Sequence, residues 1–168
     1  MQAAKERRWY LVQCKPRQDL RALANLQQQH YECLLPMRQV ERVSQGTLQL
    51  RSEPLFPGYL FIELDTLQDN WMPIRSTRGV NQIVRFDNAP LPIPHSVIEG
   101  VRSHASAVVR LFQAGDRVRI SAPGSLGIET IFEAWDGTER VILLLNLLQR
   151  EARVSVPVIH IQRLAHNI

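Results

Sequence analysis

Residues 87–96 carry Pro90, Pro92 and Pro94 in alternation. Each proline fixes φ and lacks an N–H, so this stretch can be neither a helix interior nor a central strand. Regular structure must therefore be organised on either side of it. Just beyond it, Ser96 is placed to cap a helix from Val97 to about Ala107. The pattern changes again between Ser103 and Gln113, which predicts a first domain over 1–102, a linker over 103–113 and a second domain over 114–168. A chain of 168 residues is long enough for two small domains.

Before the prolines the chain reads as strand, helix and then several strands. Trp9–Cys14 is aromatic and β-branched, as a strand requires. Pro16 closes it, and Arg17–Gln29 has apolar residues at helical spacing. That spacing predicts Leu20, Leu23 and Leu26 or Gln27 on a buried face, with Arg17, Arg21 and Gln28 in solvent. Tyr31–Val43 and Leu48–Glu53 read as strands around the turn signal Ser44–Gln45–Gly46. Tyr59–Leu64 and Gln82–Phe86 read as further strands, with a short helix or turn from Trp71 to Ser76. The expected architecture is α+β, an antiparallel sheet with flanking helices.

The last 55 or so residues support two readings. As strands, Asp116–Ser121, Thr130–Trp135 and the β-branched run Arg153–Arg163 are separated by Ala122–Pro123–Gly124 and Asp136–Gly137. That describes a small five-stranded barrel. As helix, Thr138–Val154 places Leu143, Leu144, Leu147 and Leu148 on one stripe. Pro123 would cost ~3 kcal/mol inside a helix and little in its first turn. Any helix should therefore begin at or just after Ala122. Local propensity leaves both forms open.

Composition narrows the function classes. The net charge of +4 and pI near 9.6 permit a nucleic-acid partner without requiring one. Cys14 and Cys33 form no CxxC pair, and the five histidines have no zinc-site spacing, so no metal or other cofactor is expected. No nucleophile triad, glycine-rich phosphate loop or carboxylate pair sits in a catalytic motif, so an enzyme is not expected. Met1–Arg8 has no apolar region behind it, and the longest apolar run, Val141–Leu145, is too short for a bilayer. The expectation is a soluble cytoplasmic monomer without membrane attachment.

Three runs resemble the N-terminal domain of NusG proteins: Trp9-Tyr10-Leu11-Val12, Pro54-Leu55-Phe56-Pro57-Gly58-Tyr59-Leu60-Phe61 and Ile74-Arg75-Ser76-Thr77-Arg78-Gly79-Val80. Gly115-Asp116-Arg117-Val118-Arg119-Ile120 resembles the opening of their C-terminal KOW barrel. Cys14-Lys15, Ser52–Pro57, Thr77–Val80 and above all Leu143–Leu148 are similar to the operon-specific antitermination branch of the family. The resemblance to that branch implies a tail that is an α-helical hairpin when autoinhibited and a five-stranded KOW barrel on release.

The resemblance also implies partners and sites. Phe56, Pro57, Tyr59 and Phe61 would dock on the β′ clamp helices of RNA polymerase. Lys15, Arg17, Arg21, Asn25, Arg75, Thr77 and Arg78 would hold the non-template DNA strand. Glu53, Ile98, Arg140, Phe132, Leu143, Leu144 and Leu148 would form the interdomain contact, with Glu53–Arg140 as an ion pair. The same four apolar tail residues would be buried in either form, so most of that term would cancel. A released barrel would recruit a small-subunit ribosomal protein. Two departures stand out: Asn25 replaces a histidine on the first helix, and Asn70-Trp71-Met72 replaces a His-Thr-Thr stretch that touches the polymerase β gate loop.

Overall fold

The computed structural model describes residues 6–165, which form two compact units. Of these, 6–39 and 52–107 make the first, and 40–51 with 108–165 make the second. In chain order the elements are β1 (Arg7–Cys14), α1 (Asp19–Gln28), β2 (Glu32–Leu34), β3 (Met37–Ser44), β4 (Thr47–Pro54), β5 (Tyr59–Asp65), α2 (Met72–Ser76) and β6 (Val80–Ile83). After the short hairpin β7 (Arg85–Phe86) and β8 (Ala89–Pro90) come α3 (His95–His104) and β9 (Val108–Val109). The tail holds β10 (Arg117–Ile120), β11 (Glu129–Asp136), β12 (Arg140–Leu147), β13 (Arg150–Pro157), a 3-10 turn at Val158–His160 and β14 (Ile161–Arg163).

The first unit is built on a four-stranded sheet in the order β2-β5-β1-β6. Alternation along β1 and β5 sorts their side chains between two faces. Tyr10, Val12, Cys14, Leu60, Ile62 and Leu64 pack with Ala22 and Leu26 of α1 and Ile74 of α2. This is the main core. The opposite face carries a smaller cluster of Trp9, Phe61 and Ile98, contributed by β1, β5 and α3.

Several expected boundaries shift for local reasons. The helix begins at Asp19, because Arg17 takes φ +59 and cannot belong to it. Its buried stripe is Asp19, Ala22 and Leu26, while Leu20 is 63% exposed. The strand expected over Tyr31–Val43 breaks at Leu35–Pro36 into β2 and β3. Pro94, not Ser96, stands at the N-cap of α3. The β3–β4 turn does fall at Gln45–Gly46, both with positive φ, as its sequence requires.

Both thiols are held protonated. Burial, then the Asp19 carboxylate, pushes Cys14 up to about 11. Burial, with Glu32 and Cys14 adding, pushes Cys33 up to about 12. An unfolded thiol titrates near 9.0. The stabilising preference for protonated thiols is therefore intact below pH 9 and is lost as pH rises through 11 to 12. Urea midpoints measured from pH 8 to 11 should fall with pH, and replacing both cysteines by alanine should flatten that slope. An unchanged slope would remove the thiols as its cause.

In the second unit five strands run β13-β12-β11-β10-β14, each antiparallel to its neighbour. Phe112, Val118, Ile120, Phe132, Val141, Leu143, Val158 and Ile161 fill the centre. The Phe112 and Phe132 rings stack at 5.4 Å. The outer part of the β3–β4 hairpin joins this unit: Leu48 N–H donates to the Thr138 carbonyl at 2.7 Å. Buried Glu41 accepts from Arg110 Nη1 and from Leu111 N–H, both at 2.9 Å.

The helical tail expected in the intact chain is not what forms. Thr138–Val154 lies in β12, β13 and their turns, and the run Arg153–Arg163 is broken after Pro157. Val141 and Leu143 point inward with the two-residue period of a strand, while the helical stripe is divided. Leu148 and Gln149 form the β12–β13 turn at φ +50 and +64, the mirror-image geometry suited to strand twist. Leu148 is 98% and Leu147 55% exposed. The burial expected to cancel between the two forms therefore does not cancel at Leu148.

Candidate functional site

The first candidate surface is the sheet face partly covered by α3. β1 and β5 pair antiparallel with Leu11 opposite Phe61 and Gln13 opposite Tyr59, which puts Tyr59 and Phe61 on one face as the spacing predicts. Only part of the aromatic group reaches solvent. Phe56 is 43% and Tyr59 36% exposed, whereas Phe61 is 5% exposed beside Ile98 and Trp9. Phe61 meets Phe56 edge to face at 6.3 Å, so it supports the exposed ring from beneath. Pro57 is exposed beside them. Leu11, Leu34, Ile93 and Val101 are half-buried around the small cluster, and together they extend the apolar surface across the sheet.

The second surface gathers at the start of α1 and the loop after α2. Lys15, Arg17, Arg21, Arg75 and Arg78 are all exposed, and none forms an ion pair among the described residues. Their backbones are tightly placed. Lys15 N–H donates to the Gly79 carbonyl at 2.8 Å. Asn25 Nδ2 donates to the carbonyls of Arg21 at 2.9 Å and Arg78 at 3.1 Å, which ties the helix to the 77–79 loop. Thr77 is buried, with its hydroxyl donating to the Pro73 carbonyl at 2.9 Å and accepting from Gln29 Nε2 at 2.8 Å. It therefore shapes the loop rather than facing outward.

Two positioning residues escaped the sequence reading. Asp19 Oδ2 accepts from Gly58 N–H at 2.9 Å, while Cys14 N–H donates to the Gly58 carbonyl at 2.8 Å. The loop carrying Phe56 and Pro57 is thus fixed to the β1–α1 junction. Gln29 performs the corresponding service for Thr77. An acidic residue in the first helical turn was visible in the sequence, but helix-dipole compensation explains it equally well. No signal singles out Gln29 from its polar neighbours.

The residues expected between the domains divide. Glu53 lies in β4 and Ile98 in the small core of the first unit. Arg140 opens β12, where Nε and Nη2 donate to the Ser155 hydroxyl at 2.9 Å and carbonyl at 2.7 Å. Phe132 and Leu143 are buried in the barrel, Leu144 is half-buried and Leu148 is exposed. Among the described residues no cluster of three or more metal-binding side chains occurs, and no helix is long and apolar enough to cross a membrane.

Comparison with known proteins identifies this arrangement. Residues 7–102 match the family described as "Transcription termination factor nusG". The chain is 25% identical over 166 residues to the transcription termination/antitermination protein NusG of Chlamydia pneumoniae, covering 88% of this chain and 90% of that one. It is 25% identical over 172 residues to NusG of Thermus thermophilus, covering 88% and 94%. The solved structure titled "Domain interaction in Thermotoga maritima NusG" aligns with 18% identity and a TM-score of 0.47, over 97% of this chain and all of that one. With more than half of its length matched by the family pattern, the chain belongs to the NusG family of transcription termination and antitermination factors.

Proposed function

We propose that the chain is an elongation factor that docks on RNA polymerase through Phe56, Pro57 and Tyr59, backed by Phe61, and holds the non-template DNA strand with the basic cluster. The first unit carries both contacts, and the second unit, built from 40–51 and the chain from 108 onward, recruits a second partner such as a small-subunit ribosomal protein. One observation carries this reading. Two exposed aromatic rings and five exposed cations occur in one compact unit, joined by hydrogen bonds at Cys14, Lys15 and Gly58. Large rigid rings make effective hot spots, and each contributes ~1.5–3 kcal/mol when buried. Guanidinium groups suit phosphates and the faces of unstacked bases.

The intact chain carries its tail as a five-stranded antiparallel sheet, which favours a general NusG-like factor. The operon-specific, RfaH-type reading is favoured by one separate feature. Leu147 and Leu148 lie exposed in the barrel and would be available to a helical packing. In that reading the helical tail, aided by Glu53–Arg140, caps the aromatic surface until polymerase and DNA release it, as population shift requires.

Elongation complexes separate these readings. Phe56→Ala combined with Tyr59→Ala should abolish association while leaving the circular dichroism spectrum unchanged. Retained association by the folded variant would overturn the polymerase surface. Arg78→Ala should weaken recruitment by roughly 1–3 kcal/mol. Dependence on the DNA sequence before the substitution marks the operon-specific factor, and indifference to sequence marks the general one.

A further inference from the structure

β6 is the edge of the four-stranded sheet, and its pairing with β1 is irregular. Val12 faces Ile83 and Gln13 faces Gln82, but Cys14 then faces Val80, so Asn81 is an inserted residue. In a regular strand Asn81 and Gln82 would point to opposite faces. A bulge re-aims side chains and breaks that alternation. Both side chains accordingly reach one acceptor: Asn81 Nδ2 and Gln82 Nε2 donate to Gln13 Oε1 at 3.2 and 3.0 Å. Both residues are exposed, while Val80 and Ile83 on either side are buried.

These amides border a cavity of about 220 Å³ lined by Arg75, Asn81, Gln82, Ile83 and Arg85. No carboxylate lines it. Both arginines are exposed, and neither forms an ion pair among the described residues. Arg75 lies in the last turn of α2, and residues 77–79 lead from that helix into β6. The cavity therefore continues the basic cluster past Arg78 to the sheet edge. With Gln13 Oε1 accepting from both, Asn81 and Gln82 each keep a second N–H and a carbonyl oxygen, a paired donor and acceptor on each amide. Amides of this kind match the paired donor and acceptor of a base edge, and flanking guanidinium groups match phosphates.

We infer that the bulged edge of β6 is a second nucleotide subsite, in which Arg75 and Arg85 hold the backbone of single-stranded DNA and Asn81 and Gln82, positioned by Gln13, read one unstacked base. This rests on the DNA-strand reading of the adjoining basic cluster and extends its path.

The test is a titration of the isotope-labelled full chain with short deoxyoligonucleotides that differ at one base, followed through the side-chain amide resonances. Gln13, Asn81 and Gln82 signals should shift in a base-dependent way. Arg85→Ala should weaken binding of every sequence about tenfold, and Gln82→Ala should lower affinity for the preferred base to that for the others, roughly tenfold. Three outcomes would overturn the inference: equal shifts with deoxyribose 5-phosphate, tighter binding of the matching ribo-oligonucleotide, or side-chain variants that alter only aggregation. Signals at Lys15, Arg21 and Asn25 distinguish the two failures. If they respond while the β6 amides stay silent, this subsite alone falls. If both stay silent, the DNA-strand reading falls with it.

Discussion

Gly79→Ala should destabilise the first unit by roughly 2–6 kcal/mol, combining backbone strain with overpacking. Gly79 adopts φ +94, a conformation that side-chain-bearing residues rarely take. A Cβ there would stand 2.7 Å from the Ala22 backbone nitrogen and 3.0 Å from its Cα. Backbone atoms of a helix packed on the sheet cannot move aside as the end of a flexible side chain can. Either α1 or the 77–79 loop must shift, and the Lys15–Gly79 hydrogen bond with it. Gly58 supplies the control. It has φ +87 with nothing within 4 Å of its Cβ position, so Gly58→Ala should cost only the strain, about 1–3 kcal/mol. Urea unfolding followed by Trp fluorescence compares the two. Equal midpoints would mean that close approach to α1 contributes nothing.

In the barrel, Leu143→Ala should cost about 2–5 kcal/mol, while Leu148→Ser should change stability by no more than about 0.5 kcal/mol. Leu143 is fully buried and sits opposite Phe132 across the β11–β12 pair. Its removal opens a cavity in a core whose aromatic rings are already stacked. Leu148 stands in solvent at the turn, where φ +50 already disfavours a branched apolar side chain. The contrast distinguishes the two tail forms. In a helical stripe the two leucines would occupy comparable positions, and both substitutions would be costly. Unfolding of the intact chain, monitored by the barrel's Trp135 environment, gives the two costs side by side. Similar values would place the tail in its helical form in solution.

The readable parts of this fold are those where sequence period and burial coincide. β1 and β5 alternate cleanly because each has a covered face, and Gln45–Gly46 announces its turn through the φ values it needs. The proline stretch was equally plain, since it excludes rather than selects. Period failed where it could not name the neighbour. Ala22 replaces Leu20 in the buried stripe of α1 because the Gly79 loop presses on that side of the helix. Phe61 has the right spacing for an exposed surface, yet α3, a distant segment in sequence, covers it. Thr138–Val154 satisfied two periods at once, and only the cross-strand partners Phe132 and Val154 select the strand. Among candidate site residues, the exposed cations were legible from charge alone, whereas the inward role of Thr77 depended on Gln29 and Pro73. The bulge at Asn81 has no local signature at all.

The hydrogen bonds around Cys14 and Lys15 have a thermodynamic consequence. The 56–58 loop is tied to Cys14 and Asp19, and the 77–79 loop is tied to Lys15, the next residue in the chain. Any occupant that damps the motion of one loop also damps the peptide that anchors the other. Part of the configurational entropy lost at the second surface is then already gone when its occupant arrives, and the two occupants favour each other without touching. Such cooperation would be reciprocal, with each raising the other's affinity by the same factor. Asp19 is the residue through which this linkage would be weakened, since it carries none of the exposed groups yet fastens the aromatic loop to the start of α1, beside Lys15, Arg17 and Arg21.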